Sequence, residues 1–87
     1  MPYIKPNRRK VLAPALEALI RSIDKTKRGA EINYIICKLV YALYADVYTD
    51  LSAAIGDIES AKLEIYRRLL APMEDRKRKE NGEVFGG

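Results

Sequence analysis

The polar side chains best suited to bind a ligand lie in "EIYRRLLAP", residues 64–72. On a helix, Tyr66, Arg67 and Arg68 share one arc. The planar guanidinium group of arginine binds phosphate or carboxylate through two hydrogen bonds, and a neighbouring tyrosine ring can stack on a base. These residues predict a site for an anionic, nucleotide-like ligand. The alternative is that the arginines form ion pairs with Glu64 and organise the helices.

A second set of aromatic side chains lies in "NYIICKLVYALYADVY", residues 33–48. We call this set the tyrosine seam; its members, spaced alternately three and four apart, are Tyr34, Cys37, Tyr41, Tyr44 and Tyr48. Such spacing is typical of a helix that meets another helix. The opposite side of this helix is rich in isoleucine and leucine, so only a narrow strip through Lys38, Ala42 and Asp46 is left for water.

The isoleucine and leucine side of the helix is predicted to build the core of the monomer, and the tyrosine seam is predicted to be an interface with a partner chain or a ligand. The alternative is that the first helix covers it within the monomer. We call Tyr66, Arg67 and Arg68 the arginine cluster. Five residues, two from the seam and three from this cluster, are predicted to bind the ligand: Tyr34, Tyr41, Tyr66, Arg67 and Arg68.

No catalytic motif is present in the sequence. It has no histidine, so it has neither a Ser-His nor a Cys-His pair, and it has no phosphate-binding glycine loop. Cys37, the one cysteine, is predicted to be a small buried hydrophobic residue rather than a nucleophile. Glu31 could face Glu59 or Glu64, but carboxylate metal sites between helices usually include histidine. We therefore expect a non-enzymatic protein with no metal and no cofactor.

The chain has 87 residues, which predicts a single helical domain over residues 1–82 with a flexible tail at 83–87. A domain this small is marginally stable unless a disulfide, a metal or a partner chain supports it. One cysteine excludes an intrachain disulfide, and no metal site is expected. Homo-oligomerisation is the means of support that is left.

The net charge of +4 is unevenly placed: residues 1–28 carry +6, residues 29–64 carry −4 and residues 65–87 carry +2. The basic clusters could contact nucleic-acid phosphates, but they lack the interleaved aromatic side chains of a single-strand platform. Nucleic-acid binding is therefore the weakest of the binding hypotheses. The alternative is that basic and acidic parts attract each other within or between chains.

The start of the chain, "MPYIKPNRRK", lacks the apolar core of a signal peptide. No uninterrupted apolar stretch reaches the ~18 residues of a membrane span. A lone cysteine without a secretion signal fits a reducing compartment. These features predict a cytoplasmic protein that is not embedded in a membrane.

The pattern of apolar residues predicts an all-α fold of three helices. Pro6 could lie in the first turn of a short helix through Lys10 that Pro14 interrupts. The first of the three helices therefore begins near Ala13–Pro14, because proline belongs at a helix start, and the second runs from Ala30 to Ala45 or Asp46. Thr49 or Asp50 caps the third helix, which is kinked at Pro72 and ends at Asn81-Gly82. Helices two and three are predicted to form a long antiparallel helical hairpin, with helix one packed across it.

The sequence also resembles a known family over nearly its whole length. The motifs that carry the resemblance are the Asn33-Tyr34 pair, Gly56, "AKLEIYRR" and "EDRKRKENGEV". They are similar to a family of small helical proteins of bacteria and their phages that has no assigned activity. The sequence departs from the family pattern at Met73, where tyrosine is usual, and at residues 83–85, where Asp-Val-Tyr is usual.

By analogy with its class, the resemblance implies a phage protein that sequesters a nucleotide signal of bacterial immunity. Taken together, these observations predict a non-enzymatic homo-oligomer that binds a nucleotide-like small molecule at a subunit interface. The alternative function is a protein-interaction or structural module, and the third is a weak nucleic-acid binder.

Overall fold

The computed structural model describes residues 3–85, and this part of the chain is helical without a β-strand. Its elements are α1 (Pro6–Ser22), a short 3-10 turn (Lys25–Lys27), α2 (Arg28–Leu43), α3 (Tyr48–Ile65), a π-helical segment (Tyr66–Leu70) and α4 (Ala71–Asn81). The last three follow one another without a break. The predicted all-α class with three helical runs is confirmed.

The chain divides into two compact units, Met1–Ala54 and Ile55–Gly87. The single domain at 1–82 and the flexible tail at 83–87 stay predictions. Residues 83–85 of that tail follow α4, whereas residues 86–87 lie outside the described residues.

The first unit begins with α1, which is one continuous helix with Pro14 in its interior. The predicted helix start near Ala13–Pro14 is wrong. The helix starts instead at Pro6, where a missing N–H costs no hydrogen bond, and the Lys5 carbonyl accepts from the backbone N–H of Arg8 at 3.0 Å. Pro14 lacks an N–H, and its ring crowds the carbonyl of Lys10, but the alanine and leucine residues around it are strong helix formers and the helix continues through it.

The connection from α1 to α2 is fixed by two carboxylates. The Asp24 Oδ1 atom accepts hydrogen bonds from the Thr26 backbone N–H at 3.0 Å and from the Thr26 hydroxyl at 2.6 Å. The Glu31 Oε1 atom accepts from the Asp24 backbone N–H at 2.9 Å. Because these bonds hold the turn, α2 begins at Arg28, two residues before the predicted start at Ala30.

The turn at Asp24 makes the folding stability of the protein depend on pH. The hydroxyl hydrogen bond from Thr26 lowers the pKa of the Asp24 carboxyl below its ordinary value. The hydrogen bonds to the Asp24 carboxylate therefore stabilise the folded state above the pKa that Asp24 has in the unfolded chain. This stabilisation is lost as the pH falls through the lower pKa that Asp24 has in the folded chain. We expect Thr26→Ala to lose less stability on acidification than the natural chain, and Thr26→Ser to match the natural chain. Melting curves between about pH 2 and pH 6 test this, and identical pH profiles would contradict it.

The second helix ends at Leu43, before the predicted end at Ala45 or Asp46. The backbone of Tyr44 is extended, and the Asp50 Oδ2 atom accepts from the Ala45 backbone N–H at 2.8 Å. Asp50 lies within the first turn of α3, so its carboxylate holds the preceding turn in place. This bond uses an N–H group that a longer α2 would have needed for its own helix.

The second unit contains an irregular turn just before Pro72. The Ala71 backbone N–H donates to the carbonyl of Tyr66, five residues back, as in a π-helix. Pro72 then lies in the first turn of α4, where its missing N–H is tolerated. The predicted disturbance of the helix at Pro72 thus takes the form of a π-helical turn. Gly82, with a φ of 101°, ends α4 as predicted.

Very little of the chain is buried. Ala54, 1% exposed, is the only buried residue of residues 3–85. The predicted monomer core of isoleucine and leucine side chains on α2 is therefore wrong for the single chain, since Leu39 and Leu43 are 51% and 74% exposed. Within that range, α1 and α2 do not pack along each other. The antiparallel hairpin, with the first helix packed across it, is not confirmed and stays a prediction.

Candidate ligand-binding and interface residues

The arginine cluster of the second unit is organised by Glu64. The Nη2 atom of Arg67 lies 2.8 Å from Glu64 Oε2, and the Nη1 atom of Arg68 lies 4.0 Å from Glu64 Oε1. Both arginines thus pair with Glu64 within one helical run, whereas the predicted role of these pairs in organising the helices stays a prediction. Both arginine side chains remain nearly two-thirds exposed, and ion pairs at such positions contribute about 1 kcal/mol at most.

Tyr66 is held by a residue that the sequence did not indicate. Its hydroxyl donates a hydrogen bond of 2.7 Å to Glu74 Oε1. Residues eight apart on a regular α-helix point about 80° away from each other. The π-helical turn adds roughly one residue between them, which brings the two side chains into line. The sequence signal closest to this turn is Pro72, which cannot donate a backbone hydrogen bond to it.

The hydrogen bond to the Glu74 carboxylate, followed by the charge of Glu74, raises the pKa of Tyr66. The phenol group therefore stays neutral and acts as a hydrogen-bond donor at neutral pH. It is committed to Glu74 in the single chain, and its ring is 46% exposed. The ring face, rather than the hydroxyl group, is the part suited to contact a ligand.

The tyrosine seam of the first unit is shorter than predicted. Tyr34, Cys37 and Tyr41 lie on α2, but Tyr44 follows the end of that helix and Tyr48 begins α3. The continuous five-residue seam on one helix is therefore wrong. Its physical cause is the turn that Asp50 fixes.

The seam side chains are mostly uncovered in the single chain. Tyr34, Tyr41 and Tyr48 are 64%, 85% and 86% exposed, and Tyr44 is half-buried. Cys37 is also exposed, so its predicted burial does not occur within one chain; its Sγ atom lies 3.8 Å from Asn33 Oδ1. The alternative that the first helix covers these tyrosines is wrong for the single chain.

Two of the tyrosines line a groove at the end of α2. Tyr41 and Tyr44, with Asp46 and Leu51, enclose a volume of about 360 Å³. This volume lies at the lower end of the range found for small-molecule sites. The Lys38 ammonium group lies 5.9 Å from the centre of the Tyr41 ring, within the distance of a cation–π contact. The groove thus offers aromatic surface, with the Asp46 carboxylate in its lining and the Lys38 ammonium group beside one of its tyrosines.

The five predicted ligand-binding residues are divided between the units. Tyr34 and Tyr41 belong to the first unit, and Tyr66, Arg67 and Arg68 belong to the second. Their combination in one site stays a prediction. Across residues 3–85, no group of three or more cysteine or acidic side chains is placed to hold a metal ion. No helix in the described part of the chain is long and apolar enough to cross a membrane.

The fold and these surfaces define a small all-α protein with exposed aromatic and arginine side chains. The chain belongs to the family described as a domain of unknown function (DUF6899), whose family model matches residues 1–84. Membership in a family without an assigned activity agrees with the resemblance seen in the sequence. No curated protein and no solved structure matches the chain.

Proposed function

We propose that this protein is a non-enzymatic homo-oligomer whose subunit interfaces supply its hydrophobic core and bind an anionic, nucleotide-like small molecule. The exposed area of the chain carries the first part of the proposal. The chain exposes 8075 Å². A compact monomer of 9.9 kDa exposes roughly 5,200 Å². The difference, about 2,900 Å², is several times the ~800 Å² that one partner contributes to a standard protein interface.

The chemical nature of the exposed surface supports the same conclusion. Leu39, Leu43 and Ile55 are 51%, 74% and 68% exposed, and apolar side chains of this size recur along α1, α2 and α3. Single exposed apolar residues are ordinary, but extended apolar faces are typical of interaction surfaces. A second copy of the chain is the partner that is always present at the same concentration.

The ligand part of the proposal rests on the groove and on the arginine cluster. The Tyr41–Tyr44 groove provides stacking surface, and Arg67 and Arg68 provide charge. In an oligomer, the tyrosines of one copy and the arginines of another can line a single site. Sequestration of a nucleotide signal is the specific role that this arrangement would serve.

A protein-interaction module is the second candidate. It is favoured by the Arg67–Glu64 ion pair and by the Tyr66–Glu74 hydrogen bond, which engage two of the predicted ligand-binding residues within the chain. In this function the same exposed faces would bind another protein. Weak nucleic-acid binding through the basic N-terminal region is the third candidate.

Light-scattering mass after size exclusion, with absorbance read at 260 and 280 nm, tests the proposed function. A mass that is a multiple of 9.9 kDa supports the homo-oligomer, and excess absorbance at 260 nm supports a bound nucleotide. A monomer would overturn the proposal. A panel of nucleotides then separates the candidates, because a ligand that binds the folded protein raises its melting temperature. Affinity that falls steeply with salt would instead indicate nucleic-acid binding.

Arg67→Ala is expected to weaken nucleotide binding about tenfold to a hundredfold, because a charged hydrogen bond to the ligand is lost. The fold should persist, since the ion pair with Glu64 is largely exposed. Titration calorimetry with the nucleotide found in the panel measures this change. Arg76→Ala, on α4 and outside the cluster, is the matched control and should bind normally. Equal affinity in both variants would place the site elsewhere.

A further inference from the structure

One side of the second unit is formed jointly by the end of α3, the π-helical turn and α4. Asp57 and Arg76 are nineteen residues apart, which on a regular α-helix would turn them about 100° away from each other. Because the π-helical turn adds roughly one residue, their separation equals five whole turns, and both lie on the same side. We call this side the shared face; its members are Asp57, Ala61, Glu64, Ile65, Arg68, Leu69, Met73 and Arg76.

The shared face consists of a charged row and an apolar row that lie beside each other. The charged row is Asp57, Glu64, Arg68 and Arg76, and the apolar row, with residues four apart, is Ala61, Ile65, Leu69 and Met73. Glu59, Lys62 and Asp75 lie about 120° or more around the helix from the centre of this face. Lys77 lies at its outer edge, on the side of the apolar row, and pairs with Glu80 at 3.4 Å.

The apolar row is uncovered in the single chain. Ile65, Leu69 and Met73 are 58%, 65% and 55% exposed, and Ala61 is also exposed. Leu69 and Met73 line a groove of about 490 Å³ that has Arg68 and Arg76 at its borders. A partner that fills this groove therefore needs apolar side chains flanked by acidic ones.

The order of residues along the shared face supplies such a partner from the same sequence. The acidic residues lie in the α3 half and the arginines in the other half. Within one residue, four pairs share a midpoint at residues 66–67, namely Asp57–Arg76, Ala61–Met73, Glu64–Arg68 and Ile65–Leu69. When two copies of the face lie antiparallel, one two-fold axis at this midpoint brings all four pairs opposite each other.

Charge and size both match in this arrangement. Asp57 of each copy meets Arg76 of the other, and Glu64 meets Arg68, which is only 4.0 Å from Glu64 in its own chain and 64% exposed. The small Ala61 side chain faces the large Met73 side chain, the alternation that lets facing helices interdigitate. A parallel arrangement would instead place Asp57 against Asp57 and Arg76 against Arg76.

We infer that the shared face packs antiparallel on the shared face of a second copy, with the two-fold axis at residues 66–67. The inference rests on the proposed homo-oligomer and names one of its contacts. Complementary charges fix the orientation of such a contact more than its strength. An unrelated partner would not need acids and arginines at equal distances from one midpoint, so the symmetry of the pattern selects a second copy. The contact does not use Arg67.

Disulfide cross-linking between two full-length variants, Ala61→Cys and Met73→Cys, tests the inference. In the antiparallel pair, residue 61 of one copy faces residue 73 of the other, where the two Cα atoms can come within the ~7 Å that a disulfide allows. Two copies of residue 61 lie about 15 Å apart in the same arrangement, and residues 61 and 73 of one chain are as distant. Both positions are exposed in the single chain, so cysteine is accommodated there.

We expect mild oxidation of the equimolar mixture to give a covalent dimer joined through residues 61 and 73. Cys37 is kept, and mass spectrometry of the digested dimer identifies which cysteines are joined. The matched control is Glu59→Cys mixed with Met73→Cys, because residue 59 lies on the opposite side of the helix and should give little of this product.

A charge exchange tests the orientation separately. Arg76→Asp, added to both cysteine variants, should reduce the yield of the 61–73 disulfide several-fold at about 20 mM salt, where charges are weakly screened. Asp57→Arg in the same chains should restore the yield, because both outer pairs then join opposite charges again. Arg76→Ala removes a single exposed pair and should change the yield little.

Four results would overturn the inference. If the natural chain is an oligomer but no 61–73 disulfide forms, the contact is wrong and the proposed homo-oligomer stands. A 61–61 disulfide from Ala61→Cys alone would show parallel packing. Equal cross-linking from Glu59→Cys would show random collision rather than a defined contact. A natural chain with the mass of a monomer would overturn the proposed function together with this contact.

Discussion

Leu39→Asp is expected to reduce the mass of the protein from that of an oligomer to that of a single chain. Leu39 lies on α2 and is 51% exposed in the single chain, so an isolated monomer would accommodate a carboxylate there at little cost. In an interface the same carboxylate would be buried without a partner, which costs several kcal/mol. Light scattering after size exclusion measures the mass, and the melting temperature should fall with it.

Lys38→Asp is the matched control for this experiment. Lys38 is the neighbouring residue, about 100° away around α2, and belongs to the narrow polar strip. The control introduces the same side chain into the same helical turn and should keep the oligomer mass. An oligomer that survives Leu39→Asp would show that the isoleucine and leucine face of α2 is not part of the interface.

Pro72→Ala is expected to release the π-helical turn and to separate Tyr66 from Glu74. Alanine restores the N–H that proline lacks, so the preceding turn can return to regular α-helical hydrogen bonds. Return of this turn to regular α-helical geometry places Tyr66 and Glu74 about 80° apart around the helix, which carries the Glu74 carboxylate away from the Tyr66 hydroxyl. The pKa of Tyr66, which this bond raises, should fall toward its ordinary value. Titration of ¹³C-labelled tyrosine by NMR measures it.

The Glu74→Gln variant tests the effect of the Glu74 charge on Tyr66 separately from the effect of the π-helical turn. It removes the negative charge and should lower the pKa of Tyr66, while the π-helical turn remains. In the natural chain the raised pKa of Tyr66 favours the folded state below the tyrosine pKa of the unfolded chain. That contribution is lost as the pH rises through the higher, folded pKa. An unchanged Tyr66 pKa in Pro72→Ala would mean that the turn does not depend on proline.

The sequence predicts those parts of the fold that depend on local signals. Helix formers with a 3.6-residue repeat predict the all-α class, and Gly82 predicts the end of α4 because its positive φ suits glycine. Prediction from the sequence fails where a rule about one residue type is overridden by neighbouring residues or by a side chain from farther along the chain. The rule that proline breaks a helix fails at Pro14, where the neighbouring helix formers prevail. The end of α2 depends on the Asp50 carboxylate, which accepts a hydrogen bond from the backbone five residues earlier.

In the candidate site, too, local contacts are predictable from the sequence, whereas contacts that depend on an irregular turn are not. The Arg67–Glu64 pair has a spacing of three residues, which any helix brings together, so the pair is predictable from the sequence. The Tyr66–Glu74 bond depends on the π-helical turn and is invisible to a regular helical repeat. The predicted seam runs on to Tyr48, although α2 ends at Leu43, because an apolar spacing pattern in a sequence does not show where a turn interrupts the helix.

Ala54 is the single buried residue in the described part of the chain, and this has a kinetic consequence for the proposed oligomer. If the core forms only between copies, folding is at least a second-order reaction, and its rate and its midpoint both rise with protein concentration. A newly made chain then stays vulnerable to proteases until it meets another copy. The amount of active protein would rise more steeply than the rate of its synthesis, so a cell that makes little of it would accumulate almost none.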